Sequence, residues 1–302
     1  MRRLIVARHD LSKIARQDIR GLGKRINQVM FARDKSASTF RRLLVVLDLM
    51  YHSAVRWVRQ NHGNAVIGLF LNVAQTLILV AVFYLMFAIL GIRGAAIRGD
   101  FLLYIMSGIF LFMVHIKAMG AVVGAEWPTS PMMKHAPMNT VVAIGAAALG
   151  ALYIQVLSLV LVLFVYHAAW QPITIHDPVG AFAMVMLSWL SGVAIGTVFL
   201  AIKPWFPGFV QLTSQIYMRA NMIASGKFFV ANALPGYMLV FFDWNPLFHA
   251  IDQARGFTFI NYNPHFSSIS YPLYATLICL MIGLMGEFYT RQRASISWQG
   301  RR

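Results

Sequence analysis

Six long apolar runs decide what this chain can be. They cover about 66–91, 101–125, 140–168, 179–202, 208–230 and 271–289. Each is close to the ~20 residues a helix needs to cross a ~30 Å hydrocarbon core. Inside a bilayer the backbone has no water to bond, so such a segment must satisfy its own amides as a helix. The expected fold is an all-α membrane protein with six transmembrane helices inside a domain spanning 65–290. Composition closes the alternatives. With 59% hydrophobic and 12% charged residues, the chain carries about half the charge of an ordinary water-facing domain, where about 25% is usual. Disorder is excluded as well, because it requires low hydrophobicity.

The charges that remain are unevenly spread. Lys and Arg number 26 against 10 Asp and Glu, for a formal net charge of +16. Residues 1–60 hold fourteen of the basic residues and only four acidic ones, Asp10, Asp18, Asp34 and Asp48. Cytoplasmic flanks of membrane proteins concentrate Lys and Arg. With six spans and both ends inside, the inner side also collects Lys134, Lys203, Arg291, Arg293, Arg301 and Arg302, while the outer side keeps only Arg93, Arg98, Lys227 and Arg255. The expectation is therefore a cytoplasmic (inner) membrane protein, N-in and C-in, with no nucleic acid among its partners. Met1 to Asp10 lacks the apolar core of a signal peptide. The lone Cys279 lies inside an apolar run and belongs to no C-x-x-C pair.

Around the spans, 1–49 reads as a basic cytoplasmic arm and 291–302 as a cytoplasmic tail. Over 50–64 an interfacial amphipathic helix is expected. Tyr51, Ala54, Val55 and Val58 share a stripe, with His52, Arg56 and Arg59 on another side. The stretch 231–270 is rich in aromatic rings and broken by Pro235, Pro246 and Pro264. Its apolar pieces are too short to cross, so short re-entrant helices are expected before the last span.

The catalytic signatures H-E-x-x-H, G-x-S-x-G and C-x-x-C are absent, and so is Walker A, since Gly226–Lys227 runs on into Phe228. No catalytic residue, metal site or cofactor is assigned. Gly120-x-x-x-Gly124 and Gly192-x-x-x-Gly196 are spacings that let helices approach closely, more readily within one subunit than between two. Lys117 and Arg219 fall inside apolar runs, where a mid-helix cation costs roughly 2.5–3.5 kcal/mol on insertion scales. Both should therefore face protein or water. Arg219 can line a polar path or snorkel, and for Lys117 pairing or snorkelling is preferred.

The segment Asp243-Trp244-Asn245-Pro246-Leu247-Phe248-His249-Ala250-Ile251-Asp252-Gln253-Ala254-Arg255 resembles the W-N-P-L-x-H-x-x-E-x-x-R motif of ABC-2 type permeases, in particular exporters of capsular and other cell-surface polysaccharides. Upstream, Val55-Arg56-Trp57-Val58-Arg59 and then Gly68-Leu69 look like that family's interfacial helix, although its usual glutamate is missing. Asp252 stands where glutamate is commoner. The resemblance covers about 50–293 and singles out Asn245, Pro246, Leu247, His249, Asp252 and Arg255.

That resemblance implies a homodimer of permeases with two copies of an ABC ATPase, which would use the ATP and magnesium. It implies a glycan or lipid-linked glycan as substrate, with periplasmic or outer-membrane export proteins as further partners. The connection between the second and third spans would couple to the ATPase, giving Glu126, Pro128, Pro131 and Lys134 together with Arg56 and Arg59. Aromatic rings suit the apolar faces of sugars, so the expected path residues are Phe110, Phe112, Tyr217, Arg219, Phe228, Phe241 and Trp244. Export of a lipid or drug on the same fold, and a membrane-embedded glycan or lipid enzyme, are the rival readings.

Overall fold

A computed structural model describes residues 39–62, 65–91, 97, 99–125 and 140–293. All regular structure among the described residues is helical: α1 (Thr39–His62), α2 (Ala65–Ile89), α3 (Phe101–Val123), α4 (Thr140–Ala169), α5 (Pro178–Ile202), α6 (Pro207–Ala224), a 3-10 turn at Ala231–Ala233, α7 (Gly236–Leu239), α8 (Pro246–Thr258) and α9 (Ser270–Arg293). Five of these, α2, α3, α4, α5 and α9, are long and apolar enough to cross a membrane. They coincide with five of the six apolar runs.

The run at 208–230 gives α6 instead, with 18 residues. At 1.5 Å per residue that is about 27 Å, a little short of the hydrocarbon thickness. Gln211, Gln215, Arg219 and Asn221 dilute its apolar character, and the chain turns at Ser225 and Gly226 before the run ends.

The bundle is organised around α3 and α5. α5 packs along both α3 and α9, and α8 lies against α5 and α3, while α2 and α4 cover another flank of α3. Small residues set these distances. An added Cβ at Gly192 would strike the carbonyl oxygen of His115, and one at Gly196 would come within 2.9 Å of Val122 Cβ. The Gly192/Gly196 spacing therefore serves the α3–α5 contact inside one subunit. Gly120 has open space beside it.

α1 is longer than the interfacial helix expected at 50–64. Its packed face runs through Met50, Trp57 and Val58, beside the rest of the stripe expected to meet lipid. Met50 and Trp57 lie against α4 at Gly145 and Gly150, where an added Cβ would come within 3.0 and 2.6 Å. Val58 is buried, while Tyr51 and Val55 stay exposed. Large side chains at Met50 and Trp57 thus fill the hollows left by glycines on the neighbouring helix.

Helix starts follow the local chemistry. Asp100 caps α3 by accepting from Leu102 N (2.9 Å) and takes the Tyr166 hydroxyl of α4 as well. Asp177 caps α5, with Pro178 as its first helical residue. Such a cap is worth roughly 1 kcal/mol, and each aspartate also favours the positive end of the helix dipole.

Candidate functional site

Asn245 and Pro246 start α8 in the way their chemistry dictates. The Asn245 carboxamide oxygen accepts from Leu247 N (3.0 Å), and Pro246 needs no partner for an N–H it lacks. The Asn245 amide nitrogen reaches back to the end of α6, donating to Asn221 Oδ1 (2.9 Å) and Ala224 O (3.0 Å). One residue therefore caps one helix and closes another.

The polar side chains of α8 do similar work. His249 Nε2 donates to Asp243 O (2.7 Å) and lies 3.2 Å from Asp243 Oδ1, while Nδ1 accepts from Ser268 N (3.2 Å). Asp252 accepts from the Tyr262 hydroxyl at 2.5 Å and the Ser267 hydroxyl at 2.6 Å. Burial, and next the Asp252 carboxylate, hold the Tyr262 phenol well above its ordinary value, so it stays a donor.

Arg255, with no exposed surface, gathers three carbonyls of the turn after α6. Nη1 donates to Gly226 O (3.1 Å) and Phe229 O (2.6 Å), and Nη2 donates to Lys227 O (2.6 Å). Its guanidinium carbon sits 4.4 Å from the centre of the Tyr104 ring on α3. That turn needs glycine twice. Gly226 has φ +70° and Phe248 where a Cβ would be, and a Cβ on Gly108 would lie 2.8 Å from Lys227 O. Leu247 is fully buried beside them. The motif residues thus hold α8, the turn after α6 and residues 262–268 in one joint.

Held in this joint, Lys227 points into the bundle. Its side chain is 1% exposed and finds no hydrogen-bond acceptor among the described residues. Three rings surround the ammonium instead: Phe112 at 3.4 Å, Phe228 at 4.9 Å and Phe83 at 5.4 Å, measured to their centres. Each such contact contributes about 0.5–2 kcal/mol. Desolvating the ion costs several kcal/mol, which rings alone offset only in part.

Between α2, α3, α4 and α6 lies a cavity of about 720 Å³, with Trp57 of α1 also in its wall. Lys117 lines it and donates to Gln75 Oε1 at 2.7 Å. Behind them Asn72 Nδ2 donates to Ser158 Oγ (2.8 Å) and Gln155 Nε2 donates to Asn72 Oδ1 (2.9 Å), joining α2 to α4. The rest of the wall is largely apolar, with Leu79, Phe112, Ile116, Met218 and Met222 among it. A cation and three amides inside apolar helices form a chamber suited to an amphiphile with a charged or polyhydroxyl head.

His115, buried completely on α3, forms a second polar link. Ser191 Oγ donates to Ser188 O (2.8 Å), Nδ1 donates to Ser191 Oγ (2.8 Å), and the Tyr217 hydroxyl donates to Nε2 (3.0 Å). It ties α3 to α5 and α6.

The expected path residues do not form one lining. Phe112 and Phe228 meet around Lys227, and Phe112 also faces the cavity. Phe110 is buried in the core, Tyr217 is tied to His115, and Arg219, Phe241 and Trp244 are exposed. Lys117, rather than Arg219, lines the cavity. Of the expected coupling residues, Arg56 is exposed on α1, whereas the Arg59 side chain and Glu126, Pro128, Pro131 and Lys134 lie outside the described residues.

Reading the sequence one run at a time singled out Lys117 but missed its amide neighbours, because Asn72, Gln75 and Gln155 each look like a single interruption of an apolar helix. Collecting the polar residues within the spans would have found them. Lys227 carried no such signal, since its cage comes from three separated segments. No protein-family model matches the chain, and no curated protein matches it either.

Proposed function

We propose that the chain is the permease subunit of an ATP-driven ABC-2 type exporter that moves a cell-surface polysaccharide, lipid-linked, across the cytoplasmic membrane. Two copies would enclose the path and two separate ATPase subunits would supply the energy. In this reading α6 completes six crossings with both ends in the cytoplasm, and α7 and α8 re-enter from the outer side. The observation that carries it is the Lys117 chamber. An anchor or scaffold has no use for a cation and three amides gathered between apolar helices, whereas a carrier of an amphiphile does. The joint built by Asn245, His249, Asp252 and Arg255 supports the same reading, because it fixes a broken segment against α3 and α5, where the resemblance expects one.

Purifying the full chain from its native membrane tests this. An ATPase with a Walker A motif should accompany it, and ATP hydrolysis should respond to added glycolipid. In cells, Lys117→Gln should lower surface polysaccharide at least fivefold at unchanged protein level. Glycan or lipid turnover by the isolated chain would replace the transporter with an enzyme, and unchanged surface polysaccharide would redirect the reading to another cargo.

A further inference from the structure

The Lys117 chamber and the Lys227 ammonium share one ring. Phe112 forms part of the chamber wall, and its centre lies 3.4 Å from Lys227 Nζ. Lys227 is not itself in that wall. Along α3, Lys117 and Phe112 are five residues apart, about 7.5 Å by helical rise. One ring therefore borders both a cavity lined by a cation and a buried cation with no acceptor among the described residues.

We propose that Phe112 is a gate between two stations for one anionic group, a phosphate on a lipid or free in solution, with Lys117 the accessible first station and Lys227 the buried second one. The chamber takes the anion at Lys117, where Gln75 already serves the ammonium. Rotation of the Phe112 ring then opens Lys227, whose cage of rings holds a cation without occupying its three N–H donors. Those donors are available to phosphate oxygens, which form strong charge-assisted bonds with ammonium. The buried charge thereby gains the partner it lacks.

This deepens the exporter reading by naming the charge of the cargo, but its test uses no ATPase, so either can fail alone. In a Cys279→Ser background, Lys227→Cys should react slowly with an anionic methanethiosulfonate reagent. Adding Phe112→Ala should raise that rate at least tenfold. Adding Lys117→Gln to this variant should then lower the anionic reagent's rate severalfold and leave a cationic reagent's rate unchanged. No acceleration by Phe112→Ala, or equal effects of Lys117→Gln on both reagents, overturns the gate.

With Lys227 in place, the full chain in nanodiscs should bind farnesyl phosphate saturably. Lys227→Gln should weaken this at least tenfold and Lys227→Arg less than threefold. Unchanged binding in Lys227→Gln overturns the buried station. Competition by inorganic phosphate would assign the site to a free anion, and failure to compete would assign it to a lipid headgroup. Because the reactivity assay keeps Arg255 and its three carbonyls intact, it still decides the gate if Lys227→Gln does not fold.

Discussion

Replacing Arg255 with Gln is expected to cost about 3–5 kcal/mol. The guanidinium makes three charge-assisted bonds to backbone carbonyls, at 2.6, 2.6 and 3.1 Å, from a side chain with no exposed surface. Hydrogen bonds to a charged group contribute roughly 1.5–3 kcal/mol each, and the lost stacking on Tyr104 adds to this. Part is returned because the variant no longer buries an ion, a penalty of several kcal/mol. What remains is dominated by carbonyls of Gly226, Lys227 and Phe229 that no longer have a donor. Arg255→Lys keeps the charge, but one ammonium cannot reach three carbonyls that a planar fork spans, so it should recover less than half of the loss. Steric-trap unfolding in bicelles measures the difference directly. A loss below 1 kcal/mol in Arg255→Gln, or full recovery in Arg255→Lys, would refute the claim that this fork holds the joint together.

Three further outcomes follow from the same geometry. Asp252→Glu should destabilise the fold by about 1–3 kcal/mol, because an extra methylene must enter a site that is 1% exposed; Asp252→Asn should cost less, and paired thermal scans compare them. Gly226→Ala should cost about 2–4 kcal/mol, from the left-handed φ of +70° and the contact with Phe248, seen as a lower yield of monodisperse protein. Asn72→Ala removes the shared partner of Ser158 and Gln155, and the steric-trap measurement should show about 1–2 kcal/mol, the scale of such bonds between membrane helices.

Five of the membrane-length helices were legible because a single physical demand, backbone satisfaction in hydrocarbon, acts on contiguous residues. α6 was legible only in part. Its apolar run extends to 230, yet the helix stops at Ala224, because Asn245 and Arg255, more than twenty residues away, bind the carbonyls that a longer helix would have used. The start of α8 was readable from Asn245-Pro246 as a cap followed by a first-turn proline. Its polar residues, His249, Asp252 and Arg255, recur every three positions and so share one face. Their partners, Asp243, Ser267, Tyr262 and the turn at 226–229, belong to the tertiary structure and have no local signature.

That pattern bears on what the motif is for. Each of its polar side chains is buried and directs its donors or acceptors to the protein's own backbone or side chains. Of the donors and acceptors on Asn245, His249, Asp252 and Arg255, Arg255 Nε alone finds no partner among the described residues. In the exporter reading, the motif would act on transport indirectly, by fixing the turn that carries Lys227 and the adjacent Phe228 against α3. In that reading the residues proposed to meet the cargo, Lys117 and Gln75 at the chamber, lie outside Asn245, His249, Asp252 and Arg255. A variant in the motif should therefore lose stability and transport together, whereas one at Lys117 should lose transport alone. Separating those two phenotypes distinguishes the scaffold from the path it supports.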